Sequence, residues 1–250
     1  MVSKKVVLVT GGSRGIGAAT ARLFAARGYR VCISYRSDAQ AAAKVQKEIV
    51  AAGGECLAVQ ADVSVPADVE RLFRNLDQQP GELSVLVNNA GILHPQARLE
   101  DISVSRFEEV LRVNVLGCFL CCQAALRRMS RKHGGRGGSI VNVSSGAART
   151  GSPNEYVDYA ASKGAVDTLT RGLALEVAGE GIRVNAVRPG LIHTQIHASG
   201  GEPGRVERLR PRIPLQRGGE PEEVAEAIFW LASEQSSYVT GTFVDATGGL

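Results

Sequence analysis

Tyr159 and Lys163 stand four residues apart in the run Tyr159-Ala160-Ala161-Ser162-Lys163, the separation that brings two side chains onto one face of a helix. A phenol whose ordinary pKa is near 10 is a poor proton-exchange group at neutral pH. A neighbouring ammonium favours its phenolate and moves the exchange toward working pH. The pair occurs by chance in many helices, so its meaning depends on what else reaches the same place. Asn142-Val143-Ser144-Ser145 closes an apolar run just upstream and delivers hydroxyls, and Asn114 lies in an earlier helical stretch.

A second constellation opens the chain. Thr10-Gly11-Gly12-Ser13-Arg14-Gly15-Ile16-Gly17 sits where a short apolar run feeds a helical pattern. Glycines there permit a tight turn, let backbone N–H groups approach a pyrophosphate and let the helix pack near the sheet, while the helix N-terminus favours negative charge. A tight connection without a ligand is the plainer alternative. The spacing Gly11-x-x-x-Gly15-x-Gly17 departs from G-x-G-x-x-G. Where an acid would meet the ribose 2′-hydroxyl of NAD, the chain has Tyr35 and Arg36. An arginine suits a 2′-phosphate, and Arg14 can join it, so the pattern favours NADP over NAD. Asp38 is the nearest acid and reads as a first-turn helix charge.

The elements that must position these groups follow from periodicity. Strands are expected at Val6–Thr10, Val31–Tyr35, Leu57–Gln60, Ser84–Asn88, Ser139–Val143, Ile182–Val187 and Thr242–Asp245. Between them come helices at Ile16–Arg27, after a capping box Ser37-x-x-Gln40, and at Pro66–Gln79. Later helices are expected at Val104–Val110, Val113–Arg128, Tyr156–Gly179 and Pro221–Ala232. Seven strands alternating with helices predict a single α/β domain over 1–250: a Rossmann-type, doubly wound, seven-stranded parallel sheet with helices on both faces. Ligands would sit at the carboxyl ends of the strands where the winding reverses. The glycine-rich stretches Arg127–Gly138 and Ala198–Arg212 read as loops, the second within a substrate loop at 191–214.

Composition narrows the function classes. The 29 Lys and Arg against 25 Asp and Glu give a net charge of +4 and a pI of about 8.9, too mild for a nucleic-acid binder by charge. One Trp, five Tyr and six Phe are too few for base-stacking platforms. Glycine reaches 29 of 250 residues against a usual level of roughly 7%, so the glycines are positional. No apolar run approaches a membrane span, and Val6 to Val9 is too short for a signal-peptide core. Five unevenly spaced cysteines argue against a disulfide framework and for a reducing, cytoplasmic setting. Cys118-x-x-Cys121 lies in an apolar helical stretch and reads as packing. No metal site is expected, because His94, His133, His193 and His197 lack ligand spacing; His94 and His193 fall near strand ends, where they could face substrate.

Taken together, TGxxxGxG at Thr10–Gly17, Asn88-Asn89-Ala90-Gly91 and Tyr159-x-x-x-Lys163 resemble the short-chain dehydrogenase/reductase family. The chain is similar to its 3-oxoacyl-carrier-protein reductase and glucose dehydrogenase-like members. The resemblance implies hydride transfer between NADP(H) and a carbonyl or secondary alcohol carbon of a small molecule. It assigns Ser145 to the substrate oxygen, Tyr159 to the proton, Lys163 to the nicotinamide ribose and to tuning Tyr159, and Asn114 to a proton relay. It adds Gly11, Ser13, Arg14, Gly15, Ile16, Gly17, Tyr35 and Arg36 to the cofactor site. Asp62 and Val63 would border the adenine, and Asn89, Ala90 and Gly91 would line the cofactor. In Pro189-Gly190-Leu191-Ile192-His193-Thr194, Pro189 and Gly190 shape a turn, Ile192 borders the cofactor and Thr194 meets the nicotinamide amide.

Ser144 stays open as an alternative to Ser145, because Ser145 and Tyr159 are one residue further apart than is usual and an extra residue belongs within Ser152–Asp158. Tyr156, seven before Lys163, imitates the spacing of relatives that reduce enoyl thioesters; it would instead contact substrate. The family also suggests a homotetramer through helices near 104–128 and 156–179. The rivals are a sugar-nucleotide epimerase, for whose second domain there is no room, a cofactor-binding regulatory protein without turnover, and RNA binding through the basic loop.

Overall fold

In the computed structural model, which describes residues 4–250, the seven strands form one parallel sheet. They are β1 (Lys5–Val9), β2 (Arg30–Tyr35), β3 (Glu55–Gln60), β4 (Glu82–Asn88), β5 (Gly138–Val143), β6 (Ile182–Pro189) and β7 (Phe243–Ala246), in the order β3-β2-β1-β4-β5-β6-β7. The chain winds outward from β1 to β3, then returns to place β4 on the other side of β1. The crevice of an open parallel sheet lies at that reversal.

Alternation along each strand divides the core in two. Leu8, Leu86, Ile140 and Val184 face α3 (Pro66–Asp77), α5 (Gly117–Met129) and α7 (Val157–Val177). Val7, Val9, Val85, Val87 and Val141 face α1 (Gly15–Ala26), α2 (Ala39–Ala51) and α10 (Pro221–Ala232). Strands covered on both faces have no polar side to show, which is why they read as continuous apolar runs.

The differences from the sequence expectation are local. Residue Asp38, not Ser37, caps α2, its Oδ1 accepting from the Ala41 N–H at 2.9 Å; the helix begins one residue later than a Ser37 box requires. The two helices expected between β4 and β5 are continuous: α4 (Val104–Leu111) runs through a π-helical turn, Arg112–Leu116, into α5. This run, Val104–Met129, has 26 residues and a window of mean hydropathy 1.5, long and apolar enough by composition to cross a membrane, although charged residues keep it from being one uninterrupted apolar run. Arg112 interrupts the apolar pattern in sequence but not the helix. Val110 and Val113 are buried, and Cys121 and Ala125 pack into the core beneath the sheet. Short helices also appear where loops were expected: α6 (Ala147–Thr150), α8 (Ile196–Ser199) and α9 (Arg205–Leu209).

A buried polar chain crosses the sheet just behind the strand ends. Asn88 Nδ2 donates to Asn142 Oδ1 at 2.9 Å, and Asn142 Nδ2 donates to Thr170 Oγ1 at 2.8 Å, tying β4 to β5 and β5 to α7. All three residues are at most 6% exposed, so their partners are protein groups rather than water. Asn142→Leu keeps the volume but removes a partner from each neighbour. It is expected to cost on the order of 2–3 kcal/mol in denaturant unfolding; an unchanged midpoint would mean that this network does not hold the strand ends.

Candidate active site

The glycine turn is held from below by Asn89. Its Nδ2 donates to the carbonyls of Thr10 and Gly11, each at 3.0 Å, while Thr10 Oγ1 accepts from the N–H groups of Asn89 and Ala90. Gly11 and Gly15 have φ of 63° and 51°, conformations that favour glycine. Gly17 points inward: a Cβ there would stand 2.4 Å from the Gly11 carbonyl oxygen and 2.5 Å from Asn89 Nδ2. It lets α1 approach β4 closely and does not line the cleft, unlike the other residues expected in the turn.

That cleft has a volume of about 230 Å³ and takes in Gly11, Ser13, Arg14, Gly15, Ile16, Tyr35 and Arg36. Asp62, Val63, Asn89, Ala90, Gly91 and Thr194 of the expected set line it as well. Arg14 and Arg36 are exposed on its rim, and among the described residues neither forms an ion pair. The N-terminus of α1 opens into it with no side-chain cap and no acid in its first turn. Its uncapped N–H groups and positive dipole end suit a phosphate. Thr194 leans over the turn, since a Cβ on Gly15 would meet its Cγ2 at 3.2 Å.

A second cavity of about 400 Å³ adjoins the first and shares Ile16, Asn89, Gly91, Thr194 and Ile196 with it. Ser145, Tyr159 and Lys163 converge here, together with Pro189, Gly190 and Ile192. Lys163 is 4% exposed, and its Nζ donates to the Val143 carbonyl at 2.8 Å, the last residue of β5. The ammonium is 5.5 Å from the Tyr159 ring centroid. Its side chain is thus anchored to the strand end rather than to the phenol that the sequence placed beside it. Burial lowers the Lys163 pKa from 10.5 to about 8, partly opposed by Cys118 and Asp167. Burial pushes the Tyr159 phenol up to about 12, opposed by a hydrogen bond with Ser145.

The two serines diverge. Ser144 is buried with Oγ directed to the Lys163 carbonyl at 3.3 Å, whereas Ser145 Oγ accepts from the Ala147 N–H and meets the phenol. The turn between Ser145 and Tyr159 contains Ser152 and Asn154 with φ of 43° and 63°. This left-handed turn lies where the sequence comparison required an extra residue. Asn114 sits in the π-helical turn, 2% exposed, and does not line the cavity. Its Oδ1 accepts from the Ile92 N–H at 2.8 Å, and its Nδ2 donates to the Ile92 carbonyl at 3.1 Å and to Ser162 Oγ at 3.0 Å. Gly91 lies close by, since a Cβ there would stand 3.3 Å from Asn114 Oδ1 and 3.6 Å from Lys163 Nζ.

Tyr156 also lines this cavity, but its hydroxyl is directed to the Gly200 carbonyl at 3.4 Å and its ring lies under Arg205. Histidines His94 and His193 turn to Glu109 and Glu220, and the histidine in the cavity wall is His197. The sequence reading also passed over Leu93, Arg205 and Leu209 as wall residues. Their only sequence signal was membership of loops beside the strand ends, which does not say which side chains turn inward.

The family model described as enoyl-(acyl carrier protein) reductase matches residues 11–250. An uncharacterized oxidoreductase of Escherichia coli (strain K12), YgfF, is 58% identical over 244 residues, covering 98% of this chain and 99% of its own. A 3beta-hydroxysteroid dehydrogenase 1 from Eggerthella lenta is 43% identical over 250 residues, covering 98% and 93%. Among solved structures, the 3-ketoacyl-(acyl-carrier-protein) reductase from Brucella melitensis, complexed with NADH, superposes with a TM-score of 0.91. It is 34% identical and covers 100% of this chain and 99% of that one. With this architecture and these relatives across its length, the chain belongs to the short-chain dehydrogenase/reductase family of oxidoreductases.

Proposed function

We propose that the protein is an NADP(H)-dependent oxidoreductase acting on a carbonyl or secondary alcohol carbon, with Tyr159 as its proton donor and acceptor. The observation that carries this reading is the meeting of Ser145, Tyr159 and Lys163 in a cavity continuous with the glycine-turn cleft. The residues present fit a dinucleotide. The uncapped end of α1 and the turn of Gly11, Ser13, Gly15 and Ile16 would take its pyrophosphate, and Asp62, Val63 and Ala90 would border its adenine. Asn89, Gly91, Pro189, Gly190, Ile192 and Thr194 would hold its nicotinamide end beside Lys163. When bound, the nicotinamide supplies or accepts the hydride.

The chain's own part is alignment and proton movement. Ser145 and Tyr159 place two hydroxyls toward one oxygen, so negative charge developing there meets hydrogen-bond donors. A phenol raised to about 12 holds its proton at neutral pH, which suits donation to a carbonyl in the reductive direction. Lys163 offsets the cost of the phenolate left behind by keeping a cation in the same low-dielectric space. Asn114 acts as a positioning residue in this reading, fixing the Ile92 backbone and Ser162 on either side of Gly91 and Lys163.

The two rim arginines and the missing acid after β2 support NADP over NAD. The segment 191–214, which carries α8 and α9, forms one cavity wall and fits a substrate loop. Five free cysteines support a reducing, cytoplasmic setting. Val104, Phe107, Leu116 and Phe119 on the α4–α5 run and Leu175 on α7 leave apolar surface exposed, which supports a homotetramer built on these helices.

Tyr159→Phe is expected to lower kcat/KM for ketone reduction on the order of 10³-fold while leaving NADPH binding, read by fluorescence, near wild type. Tyr156→Phe is expected to remain active; loss of turnover only in that variant would reverse the assignment. For the cofactor, Arg36→Asp should move the NADP to NAD efficiency ratio toward NAD by roughly 10- to 100-fold. An unchanged ratio would remove Arg36 from phosphate recognition.

A further inference from the structure

The cavity beside Tyr159 has a charge balance that bears on what can occupy it. Three cationic side chains line it, and among the described residues no Asp or Glu side chain does. Lys163 donates to the Val143 carbonyl and stands at the reacting end beside Tyr159. Arg205, 8% exposed, is clamped between Glu155 and Glu202, with Nη1 to Glu202 Oε2 at 3.0 Å and its guanidinium 4.9 Å above the Tyr156 ring. Glu202 is itself held by Gln96 and Arg208, so the cluster is complete without a ligand. Arg149 stands at the rim, paired with Asp245 at 2.5 Å. His197 is buried with Nε2 on the Ile192 carbonyl at 2.9 Å, and burial lowers its pKa, so it adds no positive charge at neutral pH.

The remaining wall is largely hydrocarbon and aromatic ring: Leu93, Tyr156, Leu191, Ile196, Leu209 and Leu250. A carboxylate or phosphate placed against the outer wall, away from Lys163, would lose water and find only arginines already paired with Asp or Glu. To take Arg205 it would have to draw the guanidinium away from Glu155 and Glu202 and give up both ion pairs. A polyol would fare poorly for a related reason, since each hydroxyl brought in needs a partner. Beyond the reacting end the wall offers the hydroxyls of Thr150, Ser152 and Thr247, the last already donating to the Leu250 carbonyl at 3.0 Å.

We infer that the substrate portion held in this cavity is uncharged and largely apolar, a hydrocarbon-rich ketone or its secondary alcohol, and that Leu209 is among the residues that set this preference. The inference rests on the reading of Ser145 and Tyr159 as the reacting end. It adds to that reading the exclusion of anionic and polyhydroxylated groups from the outer wall of the cavity.

The test compares two probes with the same ring and carbonyl, 4-oxocyclohexanecarboxylate and its methyl ester, with D-glucose as the polyol. Binding is measured by calorimetry on Tyr159→Phe saturated with NADPH, so that no turnover intervenes, and kcat/KM is measured on the wild type. The ester is expected to bind at least tenfold more tightly than the carboxylate and to be the better substrate by the same margin. Leu209→Lys, which puts an unpaired cation in the wall, is expected to reduce or invert that ratio. Equal or tighter binding of the carboxylate or of glucose, or no binding of the ester, overturns the inference. Binding of the ester without any turnover in the wild type would instead count against the proposed oxidoreductase chemistry and leave the cavity preference standing.

Discussion

The site depends on a buried ammonium. Lys163 leaves α7, crosses to the end of β5 and donates to the Val143 carbonyl, so a single side chain links the helix carrying Tyr159 to the strand that delivers Ser145. Lowering its pKa from 10.5 to about 8 corresponds to on the order of 3 kcal/mol of folding free energy. That cost is present at neutral pH, where the folded chain must hold the charge. It fades as pH rises from about 8 to 10.5, where the unfolded chain keeps the proton longer. A group that costs stability in this way persists in a marginally stable protein when its charge is used.

The reversal of winding between β1 and β4 supplies the space around it. Asn89, just past the end of β4, reaches back to the carbonyls of Thr10 and Gly11, so the glycine turn is tied to the end of that strand. Gly17 allows this closeness by having no side chain to fill it. Behind these groups, Asn88, Asn142 and Thr170 hold β4, β5 and α7 in register from within the core. The cleft is thereby shaped by backbone and short polar side chains, while its variable part, α8 and α9, comes from the long connection after β6.

Most of this architecture was legible in the sequence because it rests on strong local signals. Continuous apolar runs marked strands buried on both faces, glycines marked their ends, and Pro66 and Pro221 marked helix starts. The glycine turn, Tyr159 and Lys163 could be named from residue types and spacing, and Ser145 from the family resemblance; the structure brings the last three to one cavity. What escaped depends on side-chain direction. The spacing of Tyr159 and Lys163 predicts a shared face, yet the lysine's long chain carries its ammonium to Val143, which periodicity does not reveal. The family resemblance names Asn114 as a proton relay, but its contacts with Ile92, made from the π-helical turn, are not visible in the sequence. The cavity wall was the least legible part, since Leu209 and Arg205 turn inward through tertiary contacts across a short helix that carries little periodic signal.

The most direct test of the account is the pH dependence of kcat/KM for ketone reduction, which reports ionisations of the free enzyme. If the buried ammonium of Lys163 supports the phenol, one descending limb should appear with its midpoint near the value of about 8 set by burial. Above it the rate constant should fall by about tenfold per pH unit. A profile that stays flat to about pH 10, the range of an ordinary lysine, would contradict the central role assigned to that charge.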